Sequence, residues 1–226
     1  SSDLRVIAEE KKQKTDQLLY SLPITTTQVV LGKYLALLVM YLIPMAVICV
    51  YPLIFAQFGD VYLLTAYGSL FAFYLMGAAL IAIGVFISSL TDNQGFAAGI
   101  GIAVILLNYY SVSLSEYVSS TAFGSVVALL VLALILGSVI HHLTGNENFA
   151  FGVCILSMAV IFVSYMLNSS MFEGLLPSIM EKLSLFDRFS SFVNGVFDMT
   201  SVVYDFTVIV FFLFLSVQSL EKRRYN

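Results

Sequence analysis

The chain has 226 residues, 60% of them apolar and 11% charged, with a formal net charge of −4 and a mean hydropathy of +0.96. Soluble domains run about 45–50% apolar and about 25% charged, so this composition excludes an ordinary water-soluble globule and predicts an all-α bundle of membrane helices. It also argues against a nucleic-acid surface, because basic residues form no stripe outside the two ends of the chain.

The first informative stretch is Glu9 to Tyr34, EEKKQKTDQLLYSLPITTTQVVLGKY. Thr15, Leu18, Leu19 and Leu22 fall at i, i+3, i+4 and i+7, the spacing of one helix face. Pro23 ends that helix, since it has no N–H to donate and clashes with the preceding turn. Thr25 followed three residues later by Gln28 has the form of a capping box, which predicts a new helix there running into the membrane. The expected local structure is an amphipathic elbow on the membrane surface, turning at Pro23 into the first span. Lys33 sits at the start of that span, where its ammonium can snorkel to the surface.

A helix needs roughly 20 apolar residues to cross the hydrocarbon, and six stretches approach this. They cover 29–57, 62–90, 95–111, 123–140, 149–167 and 202–220. Pro44 and Pro52 should kink the first, since each removes a helical hydrogen bond. Cys49 and Cys154 lie inside spans and read as small apolar packing residues. The turn Thr91–Gln94, containing Asp92 and Asn93, is very short. Gly95 and Gly99 after it form a small-xxx-small face suited to helix packing, with backbone lining a pathway as the sharper alternative.

Between the fifth and sixth spans, Glu173–Asp198 mixes apolar and polar residues at roughly helical spacing. Ser178, preceded by Pro177 and followed at three residues by Glu181, resembles a helix start. The segment is expected to form an interfacial or partly re-entrant helix rather than a span, with an ordinary loop as the competing reading. The whole chain is expected to be a single transmembrane domain. It comprises the elbow at 1–26, five spans over 27–167, the amphipathic segment 168–198, and the last span with its basic tail at 199–226.

Eight of the ten basic residues flank the first and last spans: Arg5, Lys11, Lys12, Lys14, Lys33, Lys222, Arg223 and Arg224. Six spans put both ends of this chain on one side, and the positive-inside rule makes that side the cytoplasm. The expected location is therefore the inner (plasma) membrane, with the segment 173–198 outside.

Catalytic constellations are not legible. Gly32-Lys33 lacks the upstream glycine of a phosphate-cradling loop. His141 and His142 with Glu147 are too divergent on a helix end to suggest a metal site, since adjacent helical residues point about 100° apart. No catalytic residue, metal ligand or bound cofactor is expected of this chain. The spans offer almost no ionisable group. Asp205 is the exception, expected within a turn or two of the outer end of the last span; it reads as an interface-reaching structural residue or as part of a pathway. A transporter driven by ions usually needs such groups at mid-depth, so energy is expected to come from outside the chain.

At the opening stretch the run AEEKKQKTDQLLYSLPITTTQVVLGKYLA resembles the signature of ABC-2-type permeases, the membrane subunits of ATP-binding-cassette exporters. Glu9, Glu10, Lys11, Thr15, Leu18, Leu19, Pro23, Ile24, Thr25, Gly32, Lys33, Leu35 and Ala36 match the family pattern, while Lys14 replaces its usual glycine and Gln17 its commoner glutamate. Ser88–Ala98 resembles the family's short inner turn, and Leu183–Arg224 the carboxy end of gliding-motility and nitrous-oxide-accessory type permeases.

The resemblance implies a permease subunit that moves a substrate across the membrane. ATP and Mg would be bound on a separate ABC ATPase, and a second permease copy or a paralogue would complete the assembly. It implies that Glu9, Glu10, Lys11, Thr15, Asp16, Leu18, Leu19 and Leu22 form the coupling helix that rests on the ATPase. Pro23, Thr25, Gln28, Gly32 and Lys33 would form the hinge and turn that follow. It further implies two membrane helices ahead of Arg5, and a re-entrant outer helix near the exit. The spans across 123–167 depart from the family's shorter pattern. The alternative from another class is a membrane scaffold or sensor that transports nothing.

Overall fold

The computed structural model describes residues 25–91, 93–118 and 120–225. Among them the regular structure is helical. The succession is α1 (Thr26–Ile48), α2 (Tyr51–Phe55), α3 (Leu63–Leu90), α4 (Gln94–Ser115), α5 (Ala122–Thr144), α6 (Glu147–Leu167), a 3-10 turn (Ser169–Phe172), α7 (Leu175–Leu183), α8 (Leu185–Val193) and α9 (Met199–Tyr225). Among the described residues, six stretches are long and apolar enough to cross a membrane: α1 with α2, then α3, α4, α5, α6 and α9. Each coincides with an expected span to within a few residues, because a backbone in hydrocarbon must satisfy its own polar groups and a helix does so within one segment.

The chain divides into two compact units, one of residues 1–108 with 185–226 and the other of 109–184. α4 contributes to both.

The first unit is built around α3, half of whose residues are buried, most of them in its second half. Small residues let its neighbours approach: Ala78, Ala79 and Ala82 lie in the core with Val30, Tyr34 and Leu37 of α1 and Ile209, Leu213 and Leu220 of α9. α9 presents a buried stripe of Ser201, Asp205, Ile209, Leu213, Ser216 and Leu220, three or four residues apart. Near its end the Ser219 hydroxyl donates to the Ser89 carbonyl at 3.1 Å. Lipid tails are as apolar as leucine, so close van der Waals packing of small residues and such interhelical bonds hold membrane helices together.

In the second unit α5 and α6 form a hairpin of little more than its two caps. Gly145 ends α5 in the left-handed conformation (φ 68°), its N–H donating to the His141 carbonyl at 2.9 Å. Asn146 then caps α6, its side chain accepting from the Phe149 N–H at 3.2 Å. At Gly137 a Cβ would stand 3.2 Å from that of Cys154, so the two helices pack closely there. Both cysteines are free and half-buried.

The amphipathic segment differs from expectation in its start. α7 begins at Leu175, after Gly174 in the left-handed conformation (φ 67°), and Ser178 lies inside the helix with its N–H donating to the Gly174 carbonyl at 3.1 Å. The glycine sets the boundary because its backbone makes the turn, and it is anchored by its N–H donating to the Ser120 carbonyl at 2.8 Å. Two short helices, α7 and α8, replace the one expected. Leu185 at the head of α8 donates its N–H to Asn108 Oδ1 at 3.0 Å.

Candidate functional site

The predicted capping box closes α1. The Gln28 N–H donates to Thr25 Oγ1 at 3.3 Å, and the Thr25 N–H donates to Gln28 Oε1 at 3.0 Å. Two of the donors a helix start leaves open are thereby satisfied reciprocally. Gly32 and Lys33 follow within the first two turns, with open space around Gly32. The expected coupling residues Glu9, Glu10, Lys11, Thr15, Asp16, Leu18, Leu19 and Leu22, with Pro23, lie outside the described residues.

From this capped start α1 is fastened to α3 by tyrosines. Tyr34 donates its phenol to the Ala78 carbonyl at 3.2 Å, and Tyr41 to the Phe73 carbonyl at 3.1 Å. Tyr41 also stacks on Tyr74, ring centroids 5.3 Å apart and planes within 6°. In the opposite sense, Tyr67 of α3 donates to the Cys49 carbonyl at 3.1 Å. The first span breaks just there: α1 ends at Ile48 and α2 starts at Tyr51, with Pro52 in its first turn. Tyr67 satisfies one of the carbonyls that a helix end leaves without an intrahelical donor. Pro44 lies within α1, so the break belongs to the second proline. The ties were not anticipated, although Tyr34 and Tyr41 stand seven residues apart, on one helix face.

At the short turn, Asn93 accepts from the N–H groups of Gly95 and Phe96 at 3.0 and 3.3 Å, capping α4; Asp92 lies outside the described residues. A Cβ at Gly99 would meet nothing within 4 Å, and at Gly95 only Asn93 Oδ1. Neither glycine is used for close helix packing within the described chain.

Asp205 corrects an expectation. It does not reach toward water but sits on the buried stripe of α9, 6% exposed, and its Oδ1 has no hydrogen-bond partner among the described residues. One residue earlier, the ring of Tyr204 carries the guanidinium of Arg188 from α8, 4.1 Å from its centroid. The same guanidinium attracts the Asp205 carboxyl. The helical register explains the burial: Asp205 falls four residues after Ser201 and four before Ile209, both buried. Asp198, by contrast, is solvent-accessible at the head of α9, accepting from the Ser201 hydroxyl at 2.7 Å and the Thr200 N–H at 2.9 Å. These bonds, the hydroxyl foremost, hold its carboxyl below the usual range.

In the second unit, His141 and Glu147 face each other across the α5–α6 turn at 3.7 Å. No cluster of three or more metal-ligating side chains occurs among the described residues. Ser115 donates to Glu181 Oε1 at 3.2 Å, tying the end of α4 to α7.

Among the described residues, six helices long and apolar enough to span, a capped entry into the first, and an amphipathic pair of short helices before the last define a polytopic helical membrane protein. Comparison with family models gives the finer assignment. A model described as ABC-2 family transporter protein matches residues 2–122, more than half of the 226, and the chain belongs to that family as a membrane component of an ABC transporter. The matched stretch runs from before the elbow to the first residue of α5. Searches of curated proteins and of solved structures return no match.

Proposed function

We propose that this chain is the permease subunit of an ABC-2-type exporter, energised by ATP bound with Mg on a separate ABC ATPase and completed by a second permease copy or paralogue. The observation that carries this reading is the family match over residues 2–122, which includes the whole elbow sequence. Glu9, Glu10, Lys11, Thr15, Asp16, Leu18, Leu19 and Leu22 form the surface gripped by the ATPase, and Pro23 turns the chain into the capped head of α1. The distribution of basic residues supports a cytoplasmic position for both ends of this chain in the inner membrane. The resemblance of Leu183–Arg224 supports a place among the gliding-motility and nitrous-oxide-accessory type permeases.

A push on the elbow travels along α1. The phenol bonds of Tyr34, Tyr41 and Tyr67 oblige α3 to follow, and α3 shares a core with α9. Asp205 and Arg188 supply the polar step of the path on α9, since an ionisable residue within a span is a functional candidate by default. Gly95 and Gly99, open within this chain, offer a face to the second permease.

The test is co-purification of the ATPase with the complete permease, beside Glu9→Lys/Glu10→Lys. Loss of the ATPase and of its stimulation in the variant is the expected result. Unchanged binding together with unchanged ATPase stimulation would refute the coupling role.

A further inference from the structure

We infer that a cavity at the head of α3 binds the upper part of the alkyl chain of a membrane lipid. The cavity has a volume of about 430 Å³ and lies between the first turns of α3 and the turn that follows α8. That is within the range of about 300–1,000 Å³ typical of small-molecule sites.

Its walls ask for no polar guest. The Tyr67 phenol is already committed to the Cys49 carbonyl, and Thr65 turns its methyl toward Gly195. Part of the turn's backbone is already bonded. The Phe192 carbonyl accepts from the Ser69 hydroxyl at 2.9 Å and from the Gly195 N–H at 3.0 Å, while the Val196 N–H donates to the Ser191 carbonyl at 3.0 Å. Water in such a space would lack the two to four polar partners that hold a buried molecule.

The turn is built to leave the space open. Gly195 has φ +81°, a conformation side chains rarely adopt, so the backbone there doubles back without filling the cavity. Gly68 forms part of the opposite wall, and a Cβ on it would meet nothing within 4 Å.

The mouth identifies the guest. Leu64 is 91% exposed, and Val196 and Phe197 are each 60% exposed, so the rim is apolar and continuous with the surface that a spanning helix turns to lipid. With 28 residues, α3 is about 42 Å long at about 1.5 Å per residue, against roughly 30 Å of hydrocarbon. Its first turns therefore stand at the boundary between headgroups and acyl chains, where the upper carbons of a lipid lie. Binding of this kind needs no ATP and goes beyond the transport reading.

The experiment uses the permease with its ATPase, reconstituted in phosphatidylcholine vesicles doped with a phosphatidylcholine bearing a photoreactive diazirine near the glycerol end of one acyl chain. Phe192 lines the cavity yet is only 4% exposed, so lipid passing over the outer surface does not label it. The expected result is an adduct on Phe192 without added ATP. Gly68→Phe, which fills the space, reduces that adduct several-fold and leaves adducts on the exposed Phe211 and Phe214 of α9 unchanged. Val196→Trp, at the exposed mouth, gives the same selective loss and serves if Gly68→Phe does not fold. No adduct on Phe192, as when another protein segment occupies the cavity, would overturn the inference, and so would an adduct that survives in a folded filling variant. ATPase binding through the elbow is a separate readout, and its failure would leave the labelling result standing.

Discussion

The ring of Tyr41 rests on Gly77, so that a β-carbon at that position would overlap the phenol. The glycine lets α1 and α3 approach closely enough for the Tyr41 hydroxyl to reach the Phe73 carbonyl at 3.1 Å. Gly77→Ala therefore displaces Tyr41 from its bond and from its stack on Tyr74. The expected cost is about 1–3 kcal/mol, the usual penalty of overpacking, read as a lower thermal midpoint of the purified permease. Tyr41→Phe keeps the ring and loses only the bond, so it should cost less, about 0.5–1.5 kcal/mol. Equal midpoints for Gly77→Ala and the parent chain would show that Tyr41 does not hold this position.

Tyr67→Phe leaves the Cys49 carbonyl without its phenol donor at the break between α1 and α2. The acceptor is only half-buried, so losing its donor should cost about 0.5–1.5 kcal/mol. Backbone hydrogen exchange should rise locally in residues 49–55 and remain unchanged at the head of α1. Uniform protection across both regions in the variant would mean that the break is supported by something other than Tyr67.

Asp205 places an unpartnered oxygen on an otherwise small or apolar stripe. Replacing it with leucine removes a buried polar group and fills the same groove. The attraction to Arg188 is lost, but Arg188 retains its seat on Tyr204. The balance for Asp205→Leu is a midpoint unchanged or raised, by about 1–2 kcal/mol; on the proposed transport reading it comes with a fall in ATP-driven flux. A strongly lowered midpoint would make the residue structural; unaltered flux would remove it from the path.

Asp198 gives a pH dependence with a definite sign. Its carboxyl is depressed by the Ser201 hydroxyl and the Thr200 N–H. The support it gives to the head of α9 is therefore present above the ordinary carboxylate value of about 3.9 and fades as pH falls through the lower folded value. Hydrogen exchange of the first turn of α9, corrected for intrinsic rates, should be flat between pH 5 and 7 on the scale of about one carboxylate titration and rise only under more acid conditions. Asp198→Asn retains a cap and should abolish the acid-dependent rise; a rise that persists in this variant would assign it to another group.

The spans were legible because bilayer thickness constrains helix length whatever the sequence detail, and the Thr25–Gln28 cap because its two side chains act locally. The break at 49–50 was foreshadowed by Pro52 but not located, since its position depends also on where Tyr67 reaches across from α3. Ser178 misled because Ser-x-x-Glu resembles a cap, whereas Gly174 sets the boundary through a positive φ and a bond to Ser120. The burial of Asp205 was hidden for a different reason. A long apolar stretch shows that a helix crosses, but the direction each side chain takes depends on which neighbour packs against it. Tyr204, Arg188 and the cavity beside Phe192 likewise arise from tertiary contacts that no local pattern encodes.

The α5–α6 turn carries one more consequence. Only Gly145 and Asn146 separate the two helices, and two extended residues reach about 7 Å, far short of the roughly 30 Å of hydrocarbon. The joined ends must lie at the same water boundary, so the sidedness of one helix dictates that of the other. A tag displayed at this turn would report the orientation of both at once.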